Sequence, residues 1–191
     1  MVPMGEDKET IRNILRQRKE MHTPEERFEK SRRICTHLMK MIQPNETVMV
    51  YTSKEKEVNT VPLITMLLAY KNPVVVPIIQ KEDYSLRLSY IENLGVLIPS
   101  TFGVPEPIGN EIPADGADID TIILPMLGFD RRGGRIGYGA GYYDRFLSKY
   151  PSIRKIGIAF ACQEMEALPL DPHDIQMDAI ITEDGVIFKR G

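Results

Sequence analysis

Residues 48–79 read VMVYTSKEKEVNTVPLITMLLAYKNPVVVPII. Val48 to Tyr51 is a short apolar, β-branched run that predicts a strand, and Val74 to Ile79 is a second. Between them Pro62 to Tyr70 has the length and leucine-rich composition of a helix, with proline in its first turn. Strand, helix and strand in this order predict a parallel α/β unit whose strands are covered on both faces.

The same alternation extends outward. Downstream, Leu86 to Ile91, Thr121 to Leu127, Ile156 to Ala161, Ala179 to Thr182 and Val186 to Lys189 predict further strands, the last two joined by a turn at Asp184-Gly185. A helix is expected from the glycine-rich turn to about Tyr150. Upstream, Glu6 to about Lys19 predicts a helix with Ile11, Ile14 and Leu15 on one face. A second helix starts at Thr23-Pro24-Glu25-Glu26, which has the form of a capping box, and runs to about Met41. Asn93 to Asp120 is rich in proline, glycine and acids and predicts a long ordered loop with little regular structure.

The chain has 191 residues, 42% hydrophobic and 27% charged, which predicts one globular domain over residues 1–191. A net charge of −3 argues against a nucleic-acid partner. No apolar run approaches the roughly 20 residues of a membrane helix, and the first residues lack a signal-peptide core, so a cytoplasmic protein is expected. Cys35 and Cys162 are far apart and predict neither a zinc knuckle nor a redox motif. GxSxG and HExxH motifs are absent, which weighs against hydrolase and zinc-enzyme readings.

The chemistry gathers at Gly137-Tyr138-Gly139-Ala140-Gly141-Tyr142-Tyr143-Asp144. Three alternating glycines between a strand and a helix let backbone N–H groups approach an anion, and phosphate is the natural guest. The spacing is neither the dinucleotide GxGxxG nor a Walker loop. Arg131, Arg132 and Arg135 lie beside it as sources of positive charge. Asp144, in the first turn of the following helix, suits a cap or a magnesium ligand, and on local grounds the cap ranks first. Asp178, just before a strand, suits a second ligand or a solvated strand-end acid equally well. Lys8 and Arg12 share one helix face and could clamp a phosphate, although a solvated surface is the commoner explanation. Glu57 follows the first strand at the carboxyl end, where such sheets hold ligands, and suits a contact to heterocycle N–H groups or an exposed acid among Lys54, Glu55 and Lys56 about equally. His173, among Asp171 and Asp174, suits a structural hydrogen-bond role better than an acid.

Taken together, Lys8-x-x-x-Arg12, Glu57-Val58-Asn59-Thr60, Phe102-Gly103-Val104-Pro105-Glu106-Pro107, Pro125 to Asp130, Gly133 through Arg145 and Met177-Asp178 resemble the 5-formyltetrahydrofolate cyclo-ligase family over nearly the whole chain. The resemblance implies a Rossmann-like three-layer α/β sandwich with a mostly parallel central sheet, similar to the sugar-phosphate isomerase and CoA-transferase-like fold. It also implies ATP- and magnesium-dependent closure of 5-formyltetrahydrofolate to 5,10-methenyltetrahydrofolate, with ADP and phosphate released. By the same resemblance Lys8, Arg12, Arg135 and Gly137, Tyr138, Gly139, Ala140, Gly141, Tyr142 and Tyr143 bind ATP, with Arg135 and Lys8 catalytic. Asp144 and Asp178 hold Mg2+. Thr52, Glu57 and Phe102 line the folate pocket, which Tyr138 to Tyr142 also touch. The partners are small molecules, with no nucleic acid and no membrane, and a monomer is expected. Phe102 stands where relatives commonly carry Trp, and Tyr138 and Ala140 stand where relatives can carry bases. The alternatives are a sugar-phosphate isomerase or acyl-transferase relative, using the turn for a substrate phosphate, and a nucleotide-binding regulatory module without catalysis.

Overall fold

A computed structural model describes residues 7–191. The expected helix start at Glu6 lies outside the described residues. Within them the helices are α1 (Lys8–Glu20), α2 (Pro24–Met39), α3 (Val61–Ala69) and α4 (Tyr142–Lys149). The strands are β1 (Val48–Val50), β2 (Val74–Gln80), β3 (Ser85–Ile91), β4 (Ile98–Pro99), β5 (Pro105–Glu106), β6 (Ile112–Pro113), β7 (Thr121–Pro125), β8 (Gly128–Phe129), β9 (Arg135–Ile136), β10 (Arg154–Ile158), β11 (Ala179–Thr182) and β12 (Gly185–Lys189). The capping box is formed: the Glu26 N–H donates to Thr23 Oγ1 at 3.1 Å and the Thr23 N–H to Glu26 at 2.9 Å.

Eight strands make the main sheet in the order β12-β11-β10-β7-β1-β2-β3-β6. The five from β11 to β2 are parallel; at the edges β12 and β3 run against them, and β6 pairs antiparallel with β3. Alternation along each strand sends one residue to each face. Val48, Val50, Val74, Val76, Ile123, Ile156 and Ile181 pack with α2 and α3 on one face. Met49, Val75, Ile122, Leu124 and Ile180 pack with Phe146 and Leu147 of α4 on the other. Both faces are therefore covered, which is why these strands read as nearly continuous apolar runs. A smaller cluster seats Ile11 and Leu15 of α1 on Leu127, Ile136 and Met165, so α1 sits over the turns beyond the carboxyl ends of β7 and β10.

Two expectations need correction. Residues 93–120 carry more regular structure than anticipated: β4 pairs with β5, β6 joins the sheet through Tyr90 opposite Ile112, and three 3-10 turns intervene. The strand expected to run to Leu127 ends at Pro125, and the chain then folds into a β8–β9 hairpin with Phe129 opposite Arg135. Strands of two residues are too short to show alternation.

Candidate active site

A cavity of about 770 Å³ opens at the carboxyl ends of β1, β2 and β7, where Thr52, Ile79 and Pro125 reach its wall. Parallel sheets leave a crevice at this edge, and loops fill it with side chains. The glycine turn forms one side. Gly139 and Gly141 hold φ of 107° and 72°, in the left-handed region that favours glycine. A Cβ on Gly137 would stand 3.0 Å from the Arg135 guanidinium, and one on Gly139 would stand 3.3 Å from that of Arg12. The turn is thus bare because two arginines press against it. Gly141 caps α4 without a side-chain hydrogen bond, which leaves the first amides of the helix for a ligand.

Charge is concentrated around this turn. Arg12 Nε donates to the Gly137 carbonyl at 2.9 Å. Lys8 Nζ lies 2.6 Å from both Asp171 and Asp174, and all three line the cavity with His173. Burial works against the Lys8 ammonium, but the hydrogen bonds to Asp171 and Asp174 together outweigh it and raise its pKa above the usual lysine value. Arg135 is only 6% exposed and approaches Asp144 at 3.6 Å. Its Nε is buried with no partner among the described residues. The Arg135 side chain lines the cavity, and a guanidinium so placed is suited to an anion.

The opposite side has a different character. The Thr52 hydroxyl donates to the Pro105 carbonyl at 2.6 Å, tying the end of β1 to β5. Glu57 turns back to accept the Lys54 N–H at 2.7 Å. Phe102 sits at φ 57° on the rim, 58% exposed, with Lys81 Nζ 4.4 Å from its ring centroid. Burial first, then the Glu57 charge, pushes the Tyr143 phenol well above its ordinary range, so it stays protonated. A cationic, glycine-lined end faces an end with a carboxylate and an aromatic ring.

The profile of the 5-formyltetrahydrofolate cyclo-ligase family matches residues 4–183. The chain belongs to this family. It is 30% identical over 178 residues to the 5-formyltetrahydrofolate cyclo-ligase of Escherichia coli strain K12, covering 88% of this chain and 96% of the relative. The Haemophilus influenzae enzyme of the same name is 26% identical over 183 residues, covering 91% and 96%. The solved Aquifex aeolicus 5,10-methenyltetrahydrofolate synthetase superposes with a TM-score of 0.81 at 31% identity, covering 96% of this chain and 92% of that one. The protein is an enzyme of the cyclo-ligase type. These comparisons do not favour the isomerase or acyl-transferase reading.

Most of the residues singled out in this cyclo-ligase family member share the one cavity: Lys8, Arg12, Thr52, Glu57, Phe102, Arg135, the turn from Gly137 to Tyr143, and Asp144. Asp178 does not join them. It precedes β11 at the amino edge of the sheet, where it accepts the Lys155 N–H at 2.8 Å and pairs with Lys155 Nζ at 3.5 Å. The expected pairing of Asp144 with Asp178 around one ion is therefore not assembled. Arg131 and Arg132 are also engaged elsewhere, with Glu164 and Asp130, and of the three arginines only Arg135 faces the cavity.

Asp144 by itself fits a magnesium ion. Both of its contacts, the Ile175 N–H at 3.4 Å and Arg135, fall on Oδ1. Magnesium commonly binds through one or two carboxylates together with substrate phosphates and waters. Sequence reasoning missed Lys54 and Arg145, which also line the cavity. Arg145 lies one residue beyond Asp144 and donates to the Ala140 carbonyl, a contact that spacing alone did not signal.

Proposed function

We propose that the cavity binds ATP against the glycine turn and 5-formyltetrahydrofolate toward Thr52, Glu57 and Phe102, and that it closes the folate ring between N5 and N10. The observation that carries this reading is the buried Arg135, whose guanidinium stands beside the glycine turn and the Asp144 carboxylate. The family match supplies the substrate class.

In this reading the formyl oxygen attacks the γ-phosphorus and ADP leaves. The formyl carbon, now bearing a phosphate leaving group and conjugated to N5, is attacked by N10. N10 loses its proton, the C–O bond to phosphate breaks, and the methenyl cation and inorganic phosphate result. Negative charge spreads over the transferred phosphoryl oxygens, so fixed cations and oriented amides supply most of the acceleration. Arg135 and Lys8 are suited to that role, and Arg12 holds both α1 and the turn. Glu57 is suited to accept N–H groups of the pterin, and the Phe102 ring to stack on it. Magnesium, when bound by Asp144, would neutralise charge between the terminal phosphates. A monomeric cytoplasmic protein acting on small molecules is in keeping with this account.

The test is Asp144→Asn. The magnesium concentration for half-maximal turnover should rise about tenfold or more, with the melting temperature little changed, because a neutral amide is a poor ligand for a hard cation. An unchanged magnesium dependence would return Asp144 to helix capping.

A further inference from the structure

Lys19 lies in the last turn of α1 and is only 5% exposed, an unusual burial for a lysine. Its Nζ lies 3.1 Å from the Tyr138 hydroxyl and 5.6 Å from the centroid of that ring. It makes no ion pair among the described residues. The charged or titratable groups around it are Glu57, Lys54 and Lys56 from the loop after β1, and Cys162 from the turn after β10. Burial, the largest of these influences, lowers its pKa, so the ammonium is held at a cost that local pairing does not offset.

The direction of the hydrogen bonds follows from chemistry. An ammonium group is only a donor, so the Tyr138 oxygen accepts from it, and the phenolic hydrogen must point elsewhere. Burial and then Glu57 push the Tyr138 phenol far up, so that hydrogen stays on the oxygen. Tyr138 lines the cavity, and Glu57 is its acidic neighbour there. A hydroxyl that accepts from a cation is also a stronger donor. Lys54 Nζ, 5.8 Å from the Tyr138 ring centroid, further confines the ring.

We infer that Lys19 is a positioning residue which acts through Tyr138, fixing its hydroxyl as a hydrogen-bond donor into the Glu57 end of the cavity, where the formyl-folate head group is read. The inference rests on the function proposed above. It also links α1, which brings Lys8 and Arg12 to the phosphate end, with the folate end, so one helix serves both substrates.

Four proteins test it: Lys19→Met, which keeps the aliphatic stem and removes the cation, Lys19→Arg, Tyr138→Phe, and the Lys19→Met/Tyr138→Phe double variant. Lys19→Met should raise the KM for 5-formyltetrahydrofolate about tenfold, the scale of one charge-assisted hydrogen bond, while the KM for ATP and kcat stay near wild type. Tyr138→Phe should match it, and Lys19→Met should add nothing in the Tyr138→Phe background. Lys19→Arg should retain most of the wild-type KM. A Lys19→Met KM equal to wild type, or the full effect of Lys19→Met persisting in the Tyr138→Phe background, would overturn the inference. If Lys19→Met does not fold, Tyr138→Phe with Lys19→Arg reads the same hydroxyl, and a wild-type folate KM in Tyr138→Phe overturns it equally. Wild-type protein that forms no methenyl product would instead remove the functional reading beneath it.

Discussion

Gly139 holds φ 107°, and its missing side chain leaves 3.3 Å between a hypothetical Cβ and the Arg12 guanidinium. Gly139→Ala must therefore strain the backbone and displace Arg12 from the turn. A loss of about 1–3 kcal/mol in unfolding free energy is expected, with a raised KM for ATP, measured by denaturant titration and steady-state kinetics. Wild-type values in both would mean that the turn tolerates another conformation. The glycines were legible in the sequence because conformational need leaves a residue-type signature, and Arg135 was legible because it sits beside them. Asp178 was not, since a residue type does not tell which edge of the sheet receives it. Its position did carry that information: a residue just before a parallel strand lies at the amino edge, whereas Thr52, just after β1, lies at the ligand edge. Lys19 was legible only as the approximate end of the first helix, because burial of a lysine against Tyr138 depends on how α1 docks.

Helix α1 is fastened at its start by Lys8 between Asp171 and Asp174, and further along by Ile11 and Leu15 in an apolar seat. The ion pairs make the first turn of α1 sensitive to pH, and the sign follows from the shifts. Lys8 has its folded pKa raised above 10.5, so its contribution is complete below that value and is lost as pH rises through the raised one. For Asp174, burial acts against the carboxylate but the Lys8 hydrogen bond and the Asp171 amide prevail, leaving its pKa below 3.8. Its contribution is complete above 3.8 and is lost as pH falls through the lowered value. Amide exchange in α1 should thus be protected evenly across neutral pH, with protection failing at the acid end. Lys8→Ala should show faster exchange in the first turns of α1 at neutral pH while β1 and β7 remain protected, and identical exchange in the two proteins would contradict the clamp. At this scale the long elements were legible from periodicity, and the α2 capping box from four residues. The β8–β9 hairpin and β6 were not, because pairs of two residues are fixed by tertiary partners.

Across the whole molecule, the five parallel strands and their two covered faces follow from apolar runs alternating with helices, and the crevice at their carboxyl edge follows from that topology. The order of strands and the docking of residues 93–120 against the cavity depend on contacts between distant segments, which local patterns do not encode. The structure unites Lys8, Glu57, Phe102, Arg135 and Asp144, drawn from segments far apart in the chain, around one cavity of about 770 Å³. The central claim is that this cavity couples ATP to closure of the folate ring. The most direct measurement follows the ultraviolet absorbance of 5,10-methenyltetrahydrofolate and the release of ADP together, with purified protein, ATP, magnesium and 5-formyltetrahydrofolate. The account predicts one ADP per methenyl product, with neither formed when any component is omitted. ADP release that is indifferent to the folate, or no methenyl absorbance with all components present, would contradict it.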